Sequence, residues 1–273
     1  MKVKSSNRGG LVKPKKALGQ HFLTDESVAA RIAATLQPYG SLPVLEVGPG
    51  MGVLTKYLIA NGHDVKVAEI DSESIEYLRY NYPELSGRIL DADFLKLDLA
   101  GVFAGAGKIA VIGNYPYNIS SQIFFHVLDY RDLVEVCSGM LQKEVAERLA
   151  AREGTKARGI LSVLLQAWYD VEYLFTVDEH VFNPPPKVKS GVIIMKRNGV
   201  KELGCDEKLF KTIVKTTFGQ RRKTLRNSIR GLLPPGCVLP DLPVWGQRPE
   251  QLSVQEFINL TNVVTAIRGG VEK

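Results

Sequence analysis

Apolar and polar positions along the chain follow two alternating periods. Val28, Ile32 and Leu36 recur at four-residue steps, which predicts a helix over 26–36 with Asp25 as its N-cap. Pro43 to Val47 is a short apolar strand that runs into Gly48-Pro49-Gly50-Met51-Gly52. A helix over 53–60 follows, closed by Asn61-Gly62, then a strand over 65–70 and a helix over 74–80 ended by Pro83. Ile89-Leu90 opens a third strand that leads into Asp91-Ala92-Asp93-Phe94. A fourth strand covers 109–112 and is interrupted by Asn114-Tyr115-Pro116-Tyr117. An apolar helix over 121–128, a fifth strand over 133–141 and a helix over 144–151 complete this part. Strands alternating with helices at this spacing predict an α/β fold with a mostly parallel sheet covered on both faces.

The rhythm then changes. Residues 170–177 and 191–196 are strand-like and are joined by a segment containing Phe182-Asn183-Pro184-Pro185-Pro186-Lys187. This predicts an antiparallel, hairpin-like pair at the sheet edge. Beyond residue 203 strand signals fade, and 206–218, 224–233 and 254–267 read as helices. The expected organisation is a flexible basic arm (1–16), an α/β domain (17–202) and a small all-α domain (203–273). The arm is rich in Lys, Gly, Ser and Pro, has little to bury, and is expected to stay mobile until it meets a partner.

Composition adds limits. A chain of 273 residues that is 45% hydrophobic has enough apolar material for a sizeable core. Cys137, Cys205 and Cys237 lie far apart and offer neither zinc-ligand spacing nor a disulfide framework, so a reducing, cytoplasmic setting is expected. No signal-type apolar stretch opens the chain, and no run of about eighteen apolar residues suggests a membrane span. A net charge of +6 is by itself compatible with a solvated basic surface. Its placement says more. Lys2, Lys4, Arg8, Lys13, Lys15 and Lys16 all precede the first acidic residue, and Arg221, Arg222, Lys223, Arg226 and Arg230 form a second cluster. Clusters of this kind are the electrostatic footprint of phosphate binding. Lys211, Lys215, Arg222, Arg226 and Arg230 would share one stripe if a helix ran through Gly219.

The candidate chemistry gathers at strand ends. A glycine turn between strand and helix lets backbone amides approach a polar ligand. Glu69, about twenty residues on, is placed to accept hydrogen bonds from ribose hydroxyls. A dinucleotide fingerprint would want glycine or alanine at position 53, which is Val53. The G-x-G-x-G spacing instead suits a cofactor without a pyrophosphate, and Asp93 adds an acceptor for an adenine amino group. The set favours S-adenosylmethionine. At the fourth strand, the Asn114 side-chain oxygen and a carbonyl at Tyr115 or Pro116 can accept both N–H bonds of an adenine amine and localise its lone pair. Proline holds that carbonyl steady, and Tyr117 offers a face on which a base can stack. Taken alone, the tetrapeptide also reads as an ordinary turn. A sulfonium methyl is already activated, so this chemistry calls for no metal.

These segments resemble the ribosomal RNA adenine dimethylase family, and within it the branch acting on the small ribosomal subunit. The matching stretches include Lys16–Leu23, Glu46–Gly50, Glu69–Asp71, Asp91–Asp93, Gly113–Ser120, Leu141–Val145, Phe182–Val188 and Phe218–Asn227, colinear from about residue 14 to near the end. The resemblance implies a class I, Rossmann-like S-adenosylmethionine-dependent methyltransferase fold with a helical C-terminal domain. It implies dimethylation of two neighbouring adenosines of small-subunit rRNA within a 30S assembly particle, by an enzyme expected to be monomeric. Carried over by position, His21, Leu23, Gly48, Gly50, Glu69, Asp93 and Asn114 would line the cofactor pocket. Asn114, Pro116 and Tyr117 would hold the target base, with Phe182 packing its other face or anchoring the proline loop. Arg221, Arg222, Lys223 and Arg226 would contact rRNA. Two positions depart from the family pattern. His21 stands where asparagine is usual and can still hydrogen-bond through a ring nitrogen, and Tyr115 stands where leucine is common and is expected to reshape the pocket wall. The competing readings are a large-subunit adenine dimethylase of antibiotic-resistance type, a non-catalytic assembly factor and a nicotinamide-dependent dehydrogenase.

Overall fold

A computed structural model describes residues 12–15 and 18–269. The mobility expected of the basic arm therefore concerns residues that, apart from 12–15, lie outside the described ones. The chain separates into two compact units, Met1–Ala146 with Glu172–Arg197, and Glu147–Val171 with Asn198–Lys273.

The first unit opens with β1 (Phe22–Leu23) and α1 (Glu26–Ala34). As its spacing predicts, α1 buries Val28 and Ile32 and is capped by Asp25, whose carboxylate accepts from the amides of Ser27 and Val28. Next come β2 (Val44–Val47), α2 (Thr55–Ala60), β3 (Val65–Glu69), α3 (Ser72–Asn81), β4 (Ile89–Asp91) and α4 (Leu99–Val102). They are followed by β5 (Ile109–Asn114), α5 (Ser120–Asp129), β6 (Val134–Gln142) and α6 (Lys143–Leu149). After α7 (Ile160–Gln166) the chain forms β7 (Tyr169–Val177), β8 (Phe182–Asn183) and β9 (Ser190–Arg197). Seven strands make one sheet in the order β4-β3-β2-β5-β6-β9-β7, while β1 and β8 form a separate antiparallel pair. The strands from β2 to β6 run parallel, and β9 runs against β6. Every residue of β2 is buried, as a central strand covered on both faces requires. β7 alternates between covered and exposed positions, as an edge strand does.

Register places the chemistry. Val47 pairs with Ala68 on one side and Gly113 on the other, and Glu69 pairs with Asp91. The residues that follow, Gly48, Glu69, Asp93 and Asn114, therefore crowd the carboxyl rim. The chain builds outward from β2 in one direction and from β5 in the other, so the strand order reverses between them. Such a switch point is where an open α/β sheet leaves a crevice for a ligand. The fourth strand runs two residues further than its apolar run suggests and ends on Asn114, paired with Met140 of β6.

The second unit is helical. It contains α7, α8 (Glu207–Gly219), α9 (Leu225–Ser228) and α10 (Val254–Gly269). Phe257 of α10 meets Phe210 edge-on at 6.5 Å and stacks on Phe218 at 6.1 Å. Trp245 is buried, with its indole N–H donating to Pro240 O at 2.7 Å. Two sequence expectations change here. The helix expected over 224–233 shrinks to the single turn of α9 and a 3₁₀ turn at Arg230–Leu232, because Gly231 and Pro234-Pro235 cannot extend it. α8 stops at Gly219, so the basic residues on either side do not share one helical stripe.

Candidate active site

The glycine turn after β2 takes the backbone through left-handed conformations at Gly48, Gly50 and Gly52, which side chains with a Cβ resist. It is braced from just beyond α3: the Tyr82 hydroxyl donates to Gly52 O at 2.9 Å. A Cβ on Gly52 would lie 2.6 Å from the Tyr82 ring. Sequence reasoning does not single out Tyr82, whose sole signal is its place at a helix end.

Glu69 stands behind the turn. Its Oε2 accepts from the Gly50 amide at 3.0 Å, and its Oε1 from the amides of Ile70 and Asp71 at 2.8 and 2.9 Å. An ionised carboxylate has roughly four lone-pair sites, so capacity is left for a hydroxyl from a ligand. Burial pushes the Glu69 carboxyl above its usual range, against the pull of those amides. Glu46 is the second carboxyl of the wall and a further residue missed as a site group. It is 1% exposed, its Oε2 has no hydrogen-bond partner, and burial raises it to about 8, with the Glu69 charge adding. An orphaned buried acceptor on a cavity wall fits a ligand that brings its own donor, best of all an ammonium.

One cavity collects nearly all the expected site residues: His21, Leu23, Gly48, Gly50, Glu69, Asp93, Asn114, Pro116 and Tyr117 all line it, and so does Glu46. Asp93 caps a 3₁₀ turn, accepting from the Leu95 amide at 3.0 Å, with Lys96 3.6 Å from its other oxygen. The Asn114 amide nitrogen donates to His21 O at 3.2 Å. That bond fixes the orientation of the amide and leaves Oδ1 as its acceptor. The His21 ring stacks on Tyr117 at 5.5 Å, and its Nδ1 donates to Pro184 O at 2.8 Å, a carbonyl being able only to accept. The Tyr117 hydroxyl lies 2.5 Å from Ser190 Oγ, and burial raises its pKa.

Two expectations change in the structure, and a third residue has partners of its own. Phe182 does not reach the cavity: it is 4% exposed, pairs across from Leu23 and belongs to the apolar core. Burial in that cluster favours the reading of Phe182 as an anchor of the proline loop. Tyr115 does not reshape the wall with its side chain, which turns into the core and is 1% exposed. In the helical unit, Arg221 is engaged within the protein, donating to Lys156 O at 2.5 Å with Glu250 3.5 Å away. Arg222, Lys223, Arg226 and Arg230 are exposed.

Among the described residues, Asp178, Glu179 and His180 form the one group with metal-ligand proximity. It is a surface cluster in which Asp178 already pairs with Lys189 at 3.1 Å.

The strand order, with its reversal between β2 and β5 and a late strand opposing the rest, is that of the class I methyltransferases. A model of the ribosomal RNA adenine dimethylase family matches residues 12–240, and the chain belongs to that family. It is 67% identical, over 92% of its length and 94% of the relative's, to "Ribosomal RNA small subunit methyltransferase A" of Parabacteroides distasonis. A crystal structure of a dimethyladenosine transferase from Plasmodium falciparum shares the fold, with a TM-score of 0.72 at 22% identity over 91% of this chain and 98% of that one. The 23S rRNA methyltransferase ErmE superposes with a TM-score of 0.64 at 28% identity, over 87% of this chain and 99% of that one.

Proposed function

We propose that this protein transfers methyl groups from S-adenosylmethionine to the N6 amino groups of two adjacent adenosines in small-subunit (16S) rRNA, giving N6,N6-dimethyladenosines during late 30S biogenesis. The observation that carries the reading is the Asn114 amide. With its nitrogen committed to His21 O, its oxygen is the acceptor at the cavity shared with Glu46, Glu69 and Asp93.

S-adenosylmethionine supplies a methyl group already activated on a sulfonium. Glu69 would hold a ribose hydroxyl, Asp93 the donor's adenine amino group, and the orphaned Glu46 its ammonium. Asn114 Oδ1 and the carbonyl of Tyr115 or Pro116 accept the two N–H bonds of the target amine and draw its lone pair out of the ring. Tyr117 stacks on the target base, which must leave its own stack to reach the site. The S–CH3 bond would break as the N–CH3 bond forms, leaving S-adenosylhomocysteine. The proton shed by the methylated nitrogen would pass to solvent, so neither a strong base nor a metal is called for. Most of the barrier reduction comes from holding nitrogen and methyl in line, a term that reaches roughly 7–11 kcal/mol in favourable cases.

The 67% identity to a small-subunit enzyme, against 28% to a 23S enzyme, favours the small subunit as target. The partner in this reading is rRNA within a 30S assembly particle, met in the cytoplasm by a monomer. Among the described residues no helix is long and apolar enough to cross a membrane.

Tritiated methyl transfer to undermethylated 30S particles tests the reading. Asn114→Ala is expected to lower the rate by about 100-fold or more, the scale on which a missing transition-state hydrogen bond registers. Equal incorporation by wild type and variant would refute the role of Asn114. Primer extension on rRNA from a deletion strain tests the target: the stop at paired small-subunit adenines should vanish.

A further inference from the structure

His21 departs from the asparagine usual at its position, and the structure shows what the ring does there. It stacks on Tyr117 with ring centres 5.5 Å apart and planes inclined by 28°. Its Nδ1 donates to Pro184 O at 2.8 Å. An asparagine amide can also reach a carbonyl, but it has no aromatic face to lay on a tyrosine. Both contacts go to Tyr117 and the proline loop, and neither goes to the carboxyls proposed to hold the donor.

The backbone keeps the ring in that place. Just before it, Gln20 Nε2 donates to Asp71 Oδ2 at 3.2 Å, and Gln20 Oε1 accepts from the Lys15 amide at 2.9 Å. Asp71 is itself buried and caps α3. Just after it, Phe22 pairs with Asn183, and the Thr24 amide donates to Val181 O at 2.8 Å. Residue 21 is thus pinned on both sides.

Tyr117 is held from a second direction. Its hydroxyl lies 2.5 Å from Oγ of Ser190, a fully buried residue at the start of β9. An anchor at the hydroxyl fixes the long axis of a phenol ring but leaves the ring free to turn about that axis. A second ring against one face stops the turn and leaves the opposite face to a stacking base. We propose that His21 is a positioning residue for the target adenosine: its ring sets the plane of Tyr117, and through it the plane in which the base stacks. This rests on the methyl-transfer reading above, and it gives the His21 side chain to the RNA substrate rather than to the donor. In-line transfer needs the amine nitrogen aimed at the methyl, so a tilted base slows the reaction while the donor binds as before.

Full-length wild type, His21→Asn, His21→Phe, Tyr117→Ala and the double variant His21→Asn/Tyr117→Ala would be assayed on undermethylated 30S particles at saturating S-adenosylmethionine. Asn114→Ala is the control, and circular dichroism sets a temperature at which each is folded. His21→Asn should lower kcat/KM for particles by about 3- to 10-fold, the scale of one aromatic contact. The donor Kd from isothermal titration should rise by no more than about twofold. His21→Phe keeps a ring on Tyr117 and should stay within about twofold of wild type. In the Tyr117→Ala background, His21→Asn should cost no more than about twofold, because its effect passes through the missing ring. A wild-type kcat/KM in folded His21→Asn overturns the proposal, as does a change in melting temperature alone. So does a donor Kd raised beyond twofold, a His21→Phe as slow as His21→Asn, or a loss that persists in full without Tyr117. If wild type transfers no methyl, or Asn114→Ala matches wild type, the methyl-transfer reading itself fails and the role of His21 falls with it.

Discussion

The cavity wall is a set of carboxyls withheld from water, and Glu46 is its extreme case. Its pKa is raised from an ordinary 4.5 to about 8, chiefly by burial. Between those values the folded protein binds a proton that the unfolded chain has lost. Without ligand, stability therefore falls as pH rises through this window, by at most about 1.4 kcal/mol per pH unit, and the trend ends once the folded form has also ionised. Glu46→Gln should flatten the fall, and thermal melting from pH 5 to 9 would show it. Parallel curves for wild type and variant would mean that Glu46 does not carry the titration. A ligand ammonium favours the ionised form, so donor affinity in the wild type should rise over the same range. The sequence puts Glu46 just before the glycines, but it does not reveal that Oε2 is orphaned, because its surroundings come from other strands.

At the scale of elements, the glycine turn depends on a partner from outside its own strand–turn–helix. Tyr82→Phe removes the hydroxyl that donates to Gly52 O and leaves the ring in place. The variant should stay folded and bind S-adenosylmethionine several-fold more weakly, as follows from losing about 1 kcal/mol of turn preorganisation. Isothermal titration would detect it, and an unchanged Kd would show that the turn holds its shape alone. Periodicity finds elements that have one wet face, such as α1, and misses those that do not. α7 escapes it because Leu161 to Leu165 are all buried, which leaves no polar face to mark a helical period. β5 is read two residues short because Gly113 and Asn114 carry no apolar signal although both remain in the ladder.

For the whole molecule, charge is what the helical unit would offer to RNA in the proposed reading. Replacing Arg222, Lys223 and Arg226 by alanine should weaken 30S-particle binding and reduce its salt slope by about one unit for each phosphate left without its cation, with donor binding unchanged. Filter binding from low to moderate salt measures this, and a flat wild-type curve would remove these residues from the interface. Arg221 should behave differently, its replacement lowering melting temperature through Lys156 O and Glu250. What the sequence determined by itself is local: the order of strands and helices, the left-handed glycine turn, the φ-locked Asn-x-Pro segment and the sites of positive charge. Each follows from bond geometry or from periodicity among near neighbours. Tertiary structure alone decided which way the Asn114 amide faces, through a carbonyl 93 residues away, and it also buried Phe182, turned Tyr115 inward and gave Arg221 its partners Lys156 and Glu250. Those outcomes depend on which distant segments exclude water together, a property that no stretch of chain possesses before it folds.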